Sequence, residues 1–176
     1  MKGRPLARFK DFTPSIQAVA YTLKDGPVTV EALNYLDSQD LIIMARENSA
    51  WLEPWTVTDS RYEAKNARSY AIYLEGEGLI GKISLYAIEY KYATLTYWVA
   101  ERFSNRGVMT KAIGLINNHA VKDLGIKEIS AGVFPSNPAS ARVLIKNGYQ
   151  KEDDDAMFAK QNGLPIELDL YTVKLG

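Results

Sequence analysis

The sequence contains no cysteine and only one histidine among its 176 residues. Without cysteine the chain has no disulfide, no thiolate metal site and no cysteine nucleophile. The single histidine, His119, would need partner residues to bind a metal or to act in catalysis, and no motif supplies them. We therefore interpret His119 as a structural or surface residue and expect no metal site.

Net charge and long apolar runs are missing as well. Lysine and arginine total 21 and aspartate and glutamate total 21, so the formal net charge is zero. A chain without net charge has no general electrostatic attraction to nucleic acid or to an anionic membrane. No apolar run reaches the length that crosses a bilayer, and no apolar signal segment follows the basic residues Lys2, Arg4, Arg8 and Lys10. We therefore expect a cytoplasmic protein with neither a nucleic-acid nor a membrane partner.

The hydrophobic periodicity predicts one mixed α+β domain over residues 1–176. Alternating apolar residues, clearest from Leu79 to Ile88, indicate half-buried strands. A helical pattern from Val108 to Leu124 ends at Gly125, a common C-terminal stop. The predicted strands are Gln17–Lys24, Ser69–Leu74, Leu79–Ile88, Tyr92–Ala100, Glu128–Phe134, Tyr149–Lys160 and Ile166–Lys174, and the predicted helices are Val28–Asp37, Gln39–Asn48, Asp59–Asn66, Val108–Leu124 and Pro138–Asn147.

The most informative segment runs from Arg102 to Ala112, between a predicted strand and a predicted helix. The first N–H groups of a helix have no partner within the helix, and the helix dipole places partial positive charge there. Gly107 lets the backbone approach a pyrophosphate closely, and Arg102 and Arg106 add cationic donors. The segment is therefore suited to a phosphate-bearing ligand. A dinucleotide-binding Rossmann unit is disfavoured, because no Gly-x-Gly-x-x-Gly occurs and the preceding strands are predicted to be antiparallel.

This segment resembles the acyl-CoA loop of the GNAT N-acetyltransferases, whose pattern is Arg/Gln-x-x-Gly-x-Gly/Ala. Arg102 fills the first position, Asn105 replaces the first glycine and Gly107 fills the last. Asparagine tolerates a left-handed backbone better than most residues, so the replacement is mild. Tyr97-Trp98-Val99, followed by Gly107-Val108-Met109-Thr110-Lys111-Ala112, is similar to the RimJ/RimL branch, which acetylates the N-termini of ribosomal proteins.

Two further segments match the same family in the expected order. Asn137-Pro138-Ala139-Ser140, followed by Gly148-Tyr149, resembles the family's Asn-x-x-Ser helix and the Gly-Phe after it. The segment from Asn48 to Trp55 resembles the Leu-x-x-Trp segment on the substrate side of the branch. The resemblance extends from about Leu23 to Leu175. It implies the GNAT fold, a central, mixed, mostly antiparallel and splayed sheet flanked by helices.

The resemblance also implies acetyl-CoA as the acetyl donor. In the family the loop holds the pyrophosphate, and the pantetheine arm lies along two splayed strands, here Tyr92–Ala100 and Glu128–Phe134, where it pairs with backbone groups. Backbone N–H groups near Trp98 and Val99 are placed to polarise the thioester carbonyl. The residues expected to bind the cofactor are Trp98, Val99, Arg102, Asn105, Arg106, Gly107, Val108, Met109, Thr110 and Asn137.

Ser140 is the expected catalytic residue. One helical turn beyond Asn137, its hydroxyl would donate to the sulfur of the leaving CoA thiolate, although serine is also common in the first turn of a helix. Trp51 and Trp55 are expected to line the acceptor site. Tryptophans beside a helix end also serve ordinary packing, so both interpretations stay open for this pair.

No general base is evident. Related enzymes carry a carboxylate at the positions of Thr94 and Ala159, and a catalytic tyrosine elsewhere in the superfamily aligns with Leu144. Each remaining carboxylate near these segments is better explained as a solvated surface charge. These carboxylates are Glu89, Glu101, Glu152 and Glu167.

The leading hypothesis is therefore an acetyl-CoA-dependent N-acetyltransferase that acts on the N-terminal α-amine of a protein, such as a ribosomal protein. An α-amine has a pKa near 8 and needs less help from a base than a lysine amine near 10.4. Two alternatives stay open: acetylation of a small amine such as a polyamine, amino acid or antibiotic, and a CoA-binding module without catalysis. The sequence leaves open whether the protein forms a homodimer.

Overall fold

The computed structural model describes residues 21–57 and 66–176. Within them, eight strands form one sheet, and four helices pack against it. The fold is α+β, as the periodicity predicts. The strands are β1 Thr22–Asp25, β2 Val28–Ala32, β3 Arg68–Leu74, β4 Gly78–Glu89, β5 Tyr92–Val99, β6 Glu128–Val133, β7 Gln150–Gln161 and β8 Leu164–Lys174, and the helices are α1 Tyr35–Glu47, α2 Ser49–Leu52, α3 Val108–Lys122 and α4 Pro138–Lys146.

The sheet has the order β1-β2-β3-β4-β5-β6-β8-β7. Neighbouring strands are antiparallel except β5 and β6, which are parallel. The parallel pair meets in the middle of the sheet and pairs only over Tyr92–Thr94 and Glu128–Ser130. Beyond these residues no described strand fills the space between β5 and β6, so the mixed sheet is splayed at its centre.

Helix α3 contributes one apolar face to the core. Its buried side chains recur at helical spacing and belong to one hydrophobic cluster with branched residues of β2, β3 and β4. Burial of this many aliphatic side chains is the main favourable contribution to folding. The helix residues in this core are Val108, Met109, Ala112, Ile113, Ile116 and Ala120.

His119 belongs to the same helix and is buried. Its Nδ1 lies 2.7 Å from Asp123 Oδ2, and its Nε2 lies 3.1 Å from the Tyr70 hydroxyl. Tyr21 and Tyr70 pack against the imidazole ring. Both ring nitrogens are thus hydrogen-bonded within the core, and the residue is structural.

The predicted helix Val28–Asp37 is wrong for residues 28–34 and right for its last three positions. The segment from Val28 to Ala32 is strand β2, and α1 begins only at Tyr35. The helix begins there because Asn34 accepts a hydrogen bond from Asp37 N while the Asp37 carboxylate accepts from Asn34 N, which forms a capping box.

Other predicted elements agree to within a few residues, except where the described range ends. The predicted helix Asp59–Asn66 lies outside the described residues except for its last position, and the first four residues of the predicted strand Gln17–Lys24 also lie outside. None of the helices within 21–57 and 66–176 is long and apolar enough to cross a membrane.

Candidate active site

A cleft of about 950 Å³ opens where β5 and β6 separate. At the last paired position Thr94 Oγ1 lies 3.3 Å from Ser130 Oγ. Beyond it, no described strand pairs with the facing edges of β5 and β6, so backbone N–H and C=O groups there can bond to a ligand between them. The cleft has the shape that an extended ligand needs to lie as an additional strand.

The loop before α3 has the backbone that its sequence predicts. Asn105 and Gly107 have positive φ angles of 57° and 75°, which asparagine and glycine adopt more readily than other residues. Gly107 is the N-cap of α3, and no side chain caps the helix. The first N–H groups of α3 therefore lack an internal acceptor at the point where Gly107, Val108 and Met109 line the cleft, as an anion site requires.

Three cationic side chains line this end of the cleft. Arg106 belongs to the loop, and Arg142 and Lys146 lie one turn apart on α4. Asn147 holds the end of α4 against the start of α3, because its Nδ2 donates to Thr110 O at 3.1 Å. The cations therefore surround the α3 N-terminus, an arrangement suited to a ligand with several phosphate groups.

Arg102 was expected to bind the cofactor, but it is not among the residues that line this cleft. Its guanidinium carbon lies 4.5 Å from the centre of the Phe103 ring, and its side chain borders a smaller hollow beside Glu47 and Asn48. The 3₁₀ turn Glu101–Phe103 buries Phe103 and leaves Arg102 exposed beside it. The first residue of the loop pattern thus stacks on the protein's own aromatic ring.

Ser140 lies in the first turn of α4 and lines the cleft. Asn137 caps that helix by accepting from Ser140 N at 3.2 Å. The Ser140 Oγ lies 2.7 Å from the Tyr97 hydroxyl. Burial raises the pKa of Tyr97 to about 12, so this hydroxyl keeps its proton at neutral pH. Tyr97 can therefore donate to Ser140 Oγ while Ser140 donates its own proton to a group in the cleft.

Two tryptophans form a second wall of the cleft, the tryptophan wall. Trp51 Nε1 donates to Val99 O at 3.2 Å, which ties the wall to β5. The Trp55 ring meets the Phe134 ring edge-on with centroids 5.8 Å apart, which ties the wall to the residue after β6. Both indoles also line the cleft, so each packs and borders the cavity at once. Their contact with an acceptor stays a prediction.

The structure brings most of the predicted site residues together. Besides Ser140, those that line the cleft are Trp51, Trp55, Trp98, Val99, Asn105, Arg106, Gly107, Val108, Met109, Thr110 and Asn137.

The carboxylates considered from the sequence do not line this cleft. Two positions where related enzymes carry a carboxylate hold other residues here: the Thr94 hydroxyl is hydrogen-bonded to that of Ser130, and Ala159 is buried in β7. Among the described residues that line the cleft, Glu53 is the one carboxylate. The sequence offered a signal for it, its place between Trp51 and Trp55, but the segment was interpreted for its tryptophans alone. The residues Glu89, Glu101, Glu152 and Glu167 lie elsewhere.

Sequence reasoning also missed two residues that support the site. Tyr97 was part of a family match but received no role, and Gln161 lies in a strand without any motif. Gln161 Nε2 approaches the carbonyl oxygens of Glu53, Pro54 and Thr56 at 3.4, 3.1 and 3.3 Å. Within the described ranges, no group of three or more acidic, histidine or cysteine side chains is arranged to hold a metal ion.

An open mixed sheet whose two parallel strands part around a cleft, beside a glycine loop that begins a long helix, defines the acyl-CoA N-acyltransferase class of fold. Residues 31–150 match the acetyltransferase (GNAT) domain. The match covers most of the chain, so the protein belongs to the GNAT acetyltransferases and is an N-acetyltransferase by family.

Known relatives agree with this assignment. The probable N-acetyltransferase YjcK of Bacillus subtilis is 27% identical in an alignment of 164 residues, and the alignment covers 81% of this chain and 91% of that protein. Mycobacterium smegmatis RimJ in complex with CoA disulfide superposes with a TM-score of 0.76 at 20% identity, over 88% of this chain and 86% of that one. The ribosomal-protein-S5-alanine acetyltransferase of Vibrio fischeri gives a TM-score of 0.76 at 18% identity, over 88% and 96%.

Proposed function

We propose that this protein transfers the acetyl group of acetyl-CoA to the N-terminal α-amine of a protein, such as a ribosomal protein. The observation that carries the proposal is the single cleft that joins an anion-binding helix N-terminus to a tryptophan-lined wall. The loop and its cations suit the phosphates of CoA, and the parted strands suit its pantetheine arm. The RimJ structure with the same fold holds CoA disulfide, which supports this choice of donor.

The missing carboxylates favour an α-amine as acceptor. Thr94 and Ala159 cannot take a proton from an amine, and no described carboxylate other than Glu53 lines the cleft. A protein α-amine, with a pKa near 8, is partly neutral at physiological pH, whereas a lysine amine near 10.4 is almost fully protonated. An enzyme without a strong base is therefore best matched to a protein N-terminus.

The charge of the cleft argues against a polyamine. A polyamine carries several positive charges, and a site for it needs several acidic groups to offset them. In the described lining Glu53 is the one carboxylate, and the cations Arg106, Arg142 and Lys146 are assigned to the phosphates of the donor. A peptide N-terminus brings one positive charge and fits this balance better.

The cleft residues divide the reaction among them. The neutral amine attacks the thioester carbonyl carbon, and the carbon–sulfur bond breaks as the amide forms. Ser140 Oγ donates a proton to the leaving sulfur, and Tyr97 stabilises the serine oxygen by donating to it. Solvent takes the proton that the attacking amine loses and restores that of Ser140. Positioning two substrates in one cleft supplies much of the rate.

A two-stage experiment tests the proposal. Acetyl-CoA should raise the melting temperature in a thermal-shift assay, because a ligand that binds only the native state stabilises it. Peptides with free N-termini should then be acetylated faster than N-blocked peptides that contain lysine. The rate should rise with pH through the pKa of the acceptor's own α-amine, since the described lining contains no histidine and no carboxylate other than Glu53.

Each other result contradicts a defined part of the proposal. If another nucleotide stabilises the protein and acetyl-CoA does not, the donor is wrong. If polyamines or aminoglycosides react and free N-termini do not, the acceptor is a small amine. If acetyl-CoA binds but no amine reacts, the protein is a CoA-binding module without catalysis.

A further inference from the structure

Opposite charges in the cleft lining come from different elements of the fold. The cations Arg106, Arg142 and Lys146 lie around the start of α3 and on α4, whereas Glu53 lies on the tryptophan wall. A donor with several phosphates is complementary to the first group. The tryptophan wall therefore presents one negative charge to the acceptor that enters the cleft beside the donor.

The Glu53 side chain has no structural partner that explains it. In the described part of the chain its carboxylate forms neither a hydrogen bond nor an ion pair, and the residue is exposed. It begins the 3₁₀ turn Glu53–Trp55, in which Pro54 restricts the backbone. An unpaired carboxylate at the edge of a mainly apolar cleft is well placed to bind a cation from solvent.

The backbone that carries Glu53 is held from three sides. Trp51 is bonded to β5, and Trp55 packs on Phe134. The third tether is Gln161, at the end of β7, whose side-chain amide reaches three carbonyl oxygens of the segment. A flexible loop could not fix the direction of a single charge, whereas a segment with these three tethers can.

We propose that Glu53 binds the ammonium group of the acceptor at the solvent-exposed edge of the cleft. This inference rests on the proposed function and adds the residue that recognises the acceptor. Glu53 acts in capture of the charged form. The amine becomes reactive when it has given its proton to solvent and lies beside the thioester.

The test compares Glu53→Gln with the wild type on two acceptors at saturating acetyl-CoA. Glutamine keeps the size of the side chain and removes its charge. For a peptide with a free N-terminus, kcat/KM should fall about tenfold or more, mainly through KM, because a charge-assisted contact is lost. For hydroxylamine, which is uncharged at neutral pH, the enzyme-dependent rate should not change. The matched control is Glu75→Gln, an exposed glutamate in the β3–β4 turn outside the cleft, which should leave both rates unchanged.

Two further measurements separate this role from others. Added salt should raise the wild-type KM for the peptide and should hardly change that of Glu53→Gln. Glu53→Lys should weaken peptide use further, while its acetyl-CoA-dependent thermal shift matches that of the wild type. An equal loss with peptide and hydroxylamine would assign Glu53 to general structure or to proton transfer and overturn the proposal.

Failure of this inference and failure of the proposed function give different results. If the wild type does not acetylate the peptide, the proposed acceptor is wrong, and so is the proposed role of Glu53. If the wild type acetylates the peptide and Glu53→Gln does so with the same KM and salt dependence, only the role of Glu53 is overturned.

Discussion

The hydroxyl groups of Ser140 and Tyr97 meet at the base of the cleft, 2.7 Å apart. Only a hydroxyl that keeps its proton can support Ser140 as a donor. Tyr97 keeps its proton at neutral pH, since an ordinary tyrosine ionises only near pH 10 and burial raises the pKa of Tyr97 further, to about 12. Ser140 is in turn held by the Asn137 cap of α4. In the proposed reaction this pair delivers one proton to the leaving sulfur.

Removal of these hydroxyl groups should slow the chemical step. Ser140→Ala should lower kcat by about tenfold to a thousandfold and should weaken acetyl-CoA binding far less, since the contact matters only as charge develops on sulfur. Tyr97→Phe should also lower kcat, by a smaller factor. Steady-state kinetics with a free-N-terminal peptide, together with calorimetry for acetyl-CoA, measures both quantities.

The double variant distinguishes a coupled pair from two independent residues. If Ser140 and Tyr97 act as a unit, the combined variant should be about as slow as Ser140→Ala alone. If the kcat of the double variant falls by the product of the two single losses, Tyr97 acts separately from Ser140. If Ser140→Ala leaves kcat unchanged, Ser140 has only a structural role in the first turn of α4.

At the scale of the element, the start of α3 is the proposed site of the donor's phosphates. Its first N–H groups are uncapped, and Gly107 precedes them with φ at 75°. Gly107→Glu should abolish acetyl-CoA binding in calorimetry, because it places a carboxylate where the pyrophosphate is expected and repels it. The variant should remain folded, since no atom lies within 4 Å of a Cβ built at this position.

The opposite end of the same helix provides a matched control. Gly125 also has positive φ, at 67°, and also has open space around a built Cβ. Gly125→Glu therefore carries the same backbone strain and the same added charge, but far from the loop. Normal acetyl-CoA affinity in this control, with loss in Gly107→Glu, would locate the phosphate site. Unchanged affinity in Gly107→Glu would place the phosphates elsewhere.

Elements differ in how well their sequence predicts them. Helix α3 and the strand pair β4 and β5 were predicted to within two residues, because each combines clear periodicity with glycine or turn residues at its ends. The segment from Val28 to Ala32 was predicted as helix and is strand β2. Its valines pair with β1 and with β3, which is distant in sequence. These strand neighbours determine the secondary structure of the segment and override its local helical pattern.

Several buried tyrosines link the stability of the whole molecule to pH. Burial raises the pKa of Tyr70 and of Tyr97 to about 12, and it raises that of Tyr149 as well. An unfolded tyrosine ionises near pH 10. Between about pH 10 and 12 the unfolded chain therefore releases protons that the folded protein keeps. The stability that these tyrosines contribute is complete below pH 10 and is lost as pH rises through this window.

The free energy of unfolding should consequently fall with pH above 10, by up to about 1.4 kcal/mol per pH unit for each such tyrosine. Urea denaturation at a series of pH values from 8 to about 11 measures the slope. Tyr97→Phe should make the slope shallower. Tyr90→Phe, at a side chain that is 97% exposed, should leave the slope as in the wild type. Equal slopes for both variants would contradict the role of burial.

The loop, the Asn137 cap and Ser140 could all be found in the sequence, since their geometry depends on residues a few positions apart. A left-handed Asn105 and Gly107 and an uncapped helix start are local properties of the backbone. The other residues expected to bind the donor follow from the resemblance to the GNAT family, and all of them except Arg102 line the cleft. The Arg102 side chain lies over the Phe103 ring instead, a contact that the loop pattern does not encode.

The acceptor end depends on contacts between distant parts of the chain. Tyr97 reaches Ser140 across 43 positions, and Gln161 reaches Pro54 across 107. No periodicity or spacing encodes such pairs, because they exist only after β5 and β6 have parted and β7 has folded beside the tryptophan segment. The sequence by itself therefore determines the loop geometry of the proposed donor site, which depends on neighbouring residues. The proposed acceptor site, Glu53 included, exists only because the folded sheet brings remote segments together.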